Sequence, residues 1–99
     1  MKKEHRYYVY ILANKRNGTL YIGVTHSLFA RTFQHKLKEN PDCFTARYGI
    51  DKLVYFEIYQ YIQDAIKREK QMKKWNRTWK IRLIEKNNPI WRDLFEEME

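Results

Sequence analysis

Ninety-nine residues with 20 Lys and Arg against 12 Asp and Glu, a formal charge of +8, make one domain, because a chain this short buries only about two thirds of its unfolded surface and cannot divide that between two cores. With 43% hydrophobic and 16% aromatic residues, three glycines and two prolines, it should pack and fold alone rather than stay disordered. No apolar run approaches the roughly 20 residues that cross a bilayer and the basic, aromatic start lacks a signal-peptide core, so the cytoplasm is the default location, while the positive field favours polyanions such as nucleic acid or an anionic membrane surface.

After a charged leader, Tyr7 to Leu12 and Thr19 to Val24 are rich in β-branched and aromatic residues and read as strands. Between them Asn17 and Gly18 can adopt positive φ, which predicts an antiparallel hairpin. Ser27 is placed to cap a helix whose apolar residues Phe29, Phe33 and Leu37 recur every fourth position and should face the sheet, with Asn40 and Pro41 ending it. Asp42 to Asp51 has no clear period and reads as a loop in reach of a ligand. It holds the single cysteine, Cys43, which has no disulfide partner and no zinc-site spacing and is read as incidental and partly buried. Lys52 to Tyr61 returns to strand chemistry, with Val54, Phe56 and Ile58 alternating against Leu53, Tyr55, Glu57 and Tyr59. From Gln63 the period is helical, through Ile66 and Met72 and then, after Asn76, through Trp79, Leu83 and Ile84. Asn87, Asn88 and Pro89 break the second of these helices, and a short terminal helix should dock Trp91, Leu94 and Phe95. The fold class expected is α+β, a small three-stranded antiparallel or mixed sheet flanked by helices in the order β-β-α-β-α-α. Residues 1–99 form a single domain with a core of about 7–75 and a helical extension over 76–99.

Four features could carry chemistry. Tyr10 and Tyr21 face one another across the hairpin, although cross-strand aromatics usually only pack. Arg31 and His35, four apart on one helical face, suit a phosphate and a mobile proton, although a solvated basic face reads the same way. Glu69 falls inside the apolar stripe of its helix, where a carboxylate needs a cation: a buried salt bridge and a metal ion fit equally. Lys67, Arg68, Lys70, Lys73, Lys74 and Arg77, followed by Lys80, Arg82 and Lys86, interleave with Trp75 and Trp79 in a pattern suited to phosphate contacts and base stacking. The spacing of Trp79 with Leu83 turns that tryptophan toward the core.

With Tyr8, Val9, Tyr10, then Tyr21, Ile22, Gly23, then Arg31, His35 and a late Glu69, the chain resembles the GIY-YIG nuclease superfamily, and over roughly Tyr7 to Trp75 it is most similar to the small stand-alone bacterial branch. The combined pattern is far more specific than any of its parts. The resemblance implies catalytic roles for Tyr10, Tyr21, Arg31, His35 and Glu69, with Glu69 the ligand of one Mg²⁺ or Mn²⁺ ion, Arg31 the phosphate clamp and His35 an aid to proton transfer. Tyr21 or Tyr10 would orient or deprotonate water, and because tyrosine titrates near a pKa of about 10, a phenolate would need the nearby cations. Two departures are Tyr8 where the name-giving pattern has glycine, and a carboxy-terminal asparagine without a clear match. The activity implied is metal-dependent phosphodiester hydrolysis on nucleic acid, DNA ahead of RNA, with room for a protein partner that supplies specificity and no membrane association. The alternatives are a non-catalytic nucleic-acid-binding module of the same fold and a protein-interaction domain.

Overall fold

A computed structural model describes residues 6–38 and 43–98. The charged leader, the helix stop at Asn40 and Pro41, and Asp42 lie outside the described residues. Three antiparallel strands, β1 (Tyr7–Ala13), β2 (Leu20–Thr25) and β3 (Lys52–Tyr59), form one sheet in the order β2-β1-β3. The central strand is buried on both faces, and this sorts the helices into two layers. Val9, Ile11 and Ala13 meet α3 (Ile62–Lys74) and α4 (Arg77–Asn87) through Ala65, Met72 and Ile84. Tyr10 and Leu12 meet Leu28 of α1 (Leu28–Leu37), with Ile50 and Leu53 beside them. The α+β class is the expected one, with one added element: residues read as a loop contain a short helix, α2 (Phe44–Arg47).

At the hairpin turn only Asn17 takes positive φ. Gly18 serves differently: a Cβ there would sit 1.9 Å from Oδ1 of Asn14, the atom that accepts from the Thr19 amide at 2.8 Å. Arg77 clips this turn to α4 by donating to the carbonyls of Asn17 and Gly18.

The alternation expected in β3 is broken. A register shift between Ile11 and Leu12 leaves Val54 without a partner opposite β1, and both Val54 and Tyr55 then join the core under α3 and α4. One extra residue in a ladder reverses which side chains face inward beyond it.

Helix α1 is also turned relative to its apolar stripe. Leu28 and Thr32 are its buried residues, whereas Phe29 (50% exposed), Phe33 and Leu37 face outward. Periodicity locates a stripe but not its partner, and here the carboxy-terminal segment competes for it: Phe29 stacks on Phe95 at 4.9 Å. Nor does the Ser27 side chain cap the helix. The Thr25 hydroxyl holds that corner, accepting from the Ser27 amide at 3.1 Å. The helix ends in a left-handed cap at Lys38.

Trp91 is buried, and Leu94–Glu97 form a 3-10 turn. Together with Asn88 this tail shields the outer edge of β3, which would otherwise present unpaired backbone. Asn88 donates to the Val54 carbonyl at 3.1 Å, and Asp93 accepts from the Leu53 amide at 3.1 Å. Among the described residues no helix is long and apolar enough to cross a membrane.

Candidate active site

The register of the hairpin sets Leu12 opposite Tyr21 and Tyr10 opposite Gly23. The two tyrosines are therefore diagonal neighbours on one sheet face, within reach for aromatic side chains, and their ring centroids lie 6.2 Å apart. Gly23 makes the arrangement possible. A Cβ at that position would stand 2.6 Å from the Tyr10 hydroxyl oxygen, so the phenol lies across the space a side chain would fill. Tyr10 is 1% exposed, whereas Tyr21 lines an open cleft.

Helix α1 brings the third ring. Leu28, Thr32 and His35 follow one another on its inner face, and the imidazole packs 5.6 Å from Tyr21 and 6.3 Å from Tyr10, centroid to centroid. His35 Nε2 meets the Tyr10 hydroxyl at 3.5 Å, a long contact, and Nδ1 meets the Thr45 hydroxyl of α2 at 2.9 Å. Burial first, and the Arg31 guanidinium second, lower the pKa of His35, because both disfavour a second positive charge. The ring is thus neutral at pH 7.

Tyr10 is shifted the other way. Burial raises its pKa most, followed by the neighbouring Tyr21, while Arg31 lowers it and Glu69 raises it. The net shift is upward, so Tyr10 is a neutral phenol over the physiological range. Of the two tyrosines it is Tyr21, lining the cleft, that is placed to meet water, while Tyr10 is buried.

Glu69 projects from α3 between the buried Ala65 and Met72. Its side chain is 19% exposed and its ion-pair partner is Lys73, one turn away at 3.4 Å. Its charge reaches Tyr10. Tyr10, Tyr21 and His35 are thus in contact, Arg31 acts electrostatically on Tyr10 and His35, and Glu69 on Tyr10. Among the described residues no group of three or more His, Cys, Asp or Glu side chains converges as a metal cage.

The cleft beside this cluster has a volume of about 300 Å³. Its lining includes Tyr21, Arg31 and His35, and also Gln34, Lys38 and Thr45, which sequence reasoning missed. Gln34 and Lys38 lie three and seven residues beyond Arg31, a helical spacing that could have revealed them. Thr45 carried no such signal. Cys43 reaches the same wall, its sulfur 3.2 Å from the Thr45 hydroxyl, and that hydrogen bond lowers its pKa.

The basic residues divide. Lys67, Lys70, Lys73 and Lys74 are exposed along α3. Arg68 instead forms a forked salt bridge with Glu57 at 3.0 Å and lies 4.9 Å from the centre of the Trp75 ring. Arg68 therefore has its donors engaged within the protein, whereas Arg77, exposed, commits only Nη2 to the hairpin turn.

A family profile described as the GIY-YIG catalytic domain matches residues 6–82. A UPF0213 protein of Clostridium perfringens is 40% identical over 80 residues, covering 78% of this chain and 81% of that protein. Another UPF0213 protein, from Syntrophus aciditrophicus, is 35% identical, covering 81% and 91%. The solution NMR structure of a UPF0213 protein from Bacillus halodurans has the same fold, with a TM-score of 0.55 at 24% identity over 89% of this chain and 92% of that one. The hairpin tyrosines, the glycine beneath Tyr10 and the matched span together place this chain in the GIY-YIG family.

Proposed function

We propose that the protein is a divalent-metal-dependent endonuclease that hydrolyses phosphodiester bonds in nucleic acid, DNA ahead of RNA, in the cytoplasm. The observation that carries this reading is Glu69: a largely buried carboxylate whose ion-pair partner is an exposed lysine, within electrostatic reach of Tyr10. The donor set suits Mg²⁺ or Mn²⁺, since such ions take one or two protein carboxylates and complete their shell with water and substrate phosphate oxygens. Glu69 would hold the ion, which when bound supplies Lewis acidity toward the scissile phosphate.

The chain's own side chains do the rest. Arg31, exposed on α1 at the cleft, clamps a non-bridging oxygen through its fork of donors. Tyr21 orients the attacking water. As it removes the water's proton, its own passes to Tyr10 and on to the neutral His35, so no free phenolate accumulates. Thr45 fixes the imidazole through Nδ1. Tyr10 links Tyr21 to His35 within this relay. Lys67, Lys70, Lys73 and Lys74 extend the phosphate contacts along α3, and a protein partner can add specificity.

The test incubates the purified protein with branched and linear DNA and with RNA, with and without Mg²⁺ or Mn²⁺. Metal-dependent cleavage is expected, with binding that weakens steeply as salt rises because lysine contacts release counterions. Salt-sensitive binding without cleavage in either metal would overturn the enzymatic reading in favour of a binding module.

A further inference from the structure

Helix α4 carries a surface that the cleft does not use. Trp79 was expected in the core by its spacing with Leu83, yet it is 51% exposed. Its amide is fixed by the Asn76 cap at 2.9 Å, so the ring stands on the first turn of a capped helix. Trp75 meets it edge-on at 6.1 Å. Together with Leu83, Arg82 and Lys86 the two indoles line a shallow hollow of about 270 Å³. Its floor is apolar and its rim is cationic. Among the described residues neither Arg82 nor Lys86 takes part in an ion pair.

We infer that this hollow is a second nucleic-acid subsite, which stacks an unpaired base on Trp79 while Arg82 and Lys86 hold the adjoining phosphates. Charge complementarity selects the occupant. A protein partner needs an apolar floor, but unpaired cations at the rim of a chain of net charge +8 favour a polyanion whose own flat faces are apolar. Unpaired nucleotides meet both requirements, and aromatic stacking serves any base. Duplex DNA keeps its bases stacked inside and offers this surface only phosphates. The inference rests on the proposed action on nucleic acid and sharpens it: the preferred substrate carries a single-stranded segment.

The test measures binding of a labelled oligothymidylate and a duplex of equal length, without divalent metal, to wild type and to three variants: Trp79→Ala, Trp79→Phe and Arg82→Glu with Lys86→Glu. Loss of one stacked base should weaken single-strand binding about tenfold, with duplex affinity within twofold. Phenylalanine should restore most of the loss. The charge reversal, on exposed side chains, should reproduce it even if Trp79→Ala folds poorly. Unchanged single-strand affinity in folded Trp79→Ala and in the charge-reversed variant would overturn the subsite alone, whereas a wild type that binds neither probe would overturn the proposed function as well. Sedimentation showing a dimer that Trp79→Ala dissolves would assign the surface to a second copy and likewise overturn it.

Discussion

Two carboxylates of nearly equal burial, Glu57 at 16% and Glu69 at 19% exposure, sit in very different company. Glu57 accepts from the Tyr55 hydroxyl at 2.5 Å, the Tyr59 hydroxyl at 2.7 Å and the fork of Arg68, which in turn lies against Trp75. Burial alone would raise its pKa, but the hydrogen bonds from Arg68, Tyr55 and Tyr59 outweigh it and the net shift is downward. The tyrosines respond reciprocally: burial and then the bond to Glu57 push Tyr59 up to about 12. Among the described residues Glu69 has only a loose pair with an exposed lysine. A carboxylate with its acceptor sites filled by protein donors has no capacity left for a ligand, whereas one held with sites open has. That difference separates a structural charge from a candidate metal ligand better than burial does.

The sharpest way to break the contrast is to remove each charge in turn. Glu69→Gln should lower cleavage at least 100-fold, the scale seen when one electrostatic contact to the transition state is lost. Its melting temperature should stay within a few degrees of wild type, since an i,i+4 surface pair contributes about 0.5 kcal/mol at most. Side-by-side melting curves, divalent-ion titration and nuclease assays check this, and a large melting loss with unchanged metal affinity would make Glu69 a structural residue. Glu57→Gln should do the reverse. It strands Arg68 and costs about 3 kcal/mol, the lower end for breaking a buried pair, or about 12 °C or more in melting temperature. A variant as stable as wild type would remove Glu57 as the counterexample.

Acidification provides a milder contrast. His35 has a folded pKa below its ordinary 6.5, so its stability contribution is complete above 6.5 and is lost as the pH falls below that value. The neutral ring is also the proposed proton acceptor, and cleavage should decline about tenfold per pH unit once the pH is below the folded pKa. Glu57 likewise has a folded pKa below its ordinary 4.5; its contribution is complete above 4.5 and is lost as the pH falls through the folded value. A pH series should therefore show activity failing before the fold. Simultaneous loss would argue against the relay through His35.

The strands and long helices were legible because β-branched and aromatic runs and a 3.6-residue period leave direct marks in the sequence. The same marks failed where partners lie far apart in the chain. Nothing local announces the unpaired Val54 or tells Phe29 that it will meet Phe95 rather than the sheet. Thr45 reaches His35 from a helix of four residues, too short to show a period, and Trp79 was assigned inward because periodicity reports a stripe without its depth. The candidate site residues were recognisable through the joint pattern of Tyr10, Tyr21, Arg31, His35 and Glu69. Taken singly, each had an ordinary structural reading.

The smallest expected effect falls on Lys73, the cation that, among the described residues, could make Glu69 resemble Glu57. Its side chain is half exposed and its nitrogen lies 3.4 Å from the carboxylate, one helical turn away. Solvent screens such a pair, so Lys73→Ala should change stability by no more than about 0.5 kcal/mol. Two further readouts give the variant its use. Removing a cation 3.4 Å from the proposed metal-binding oxygen should tighten divalent-ion binding by about eightfold at most, the value of that charge pair in water. If Lys73 also contacts a phosphate, the salt dependence of nucleic-acid binding should lose roughly one unit of slope. A melting loss of many degrees in Lys73→Ala would mean that Glu69 already has the partner it needs, and the contrast with Glu57 would collapse.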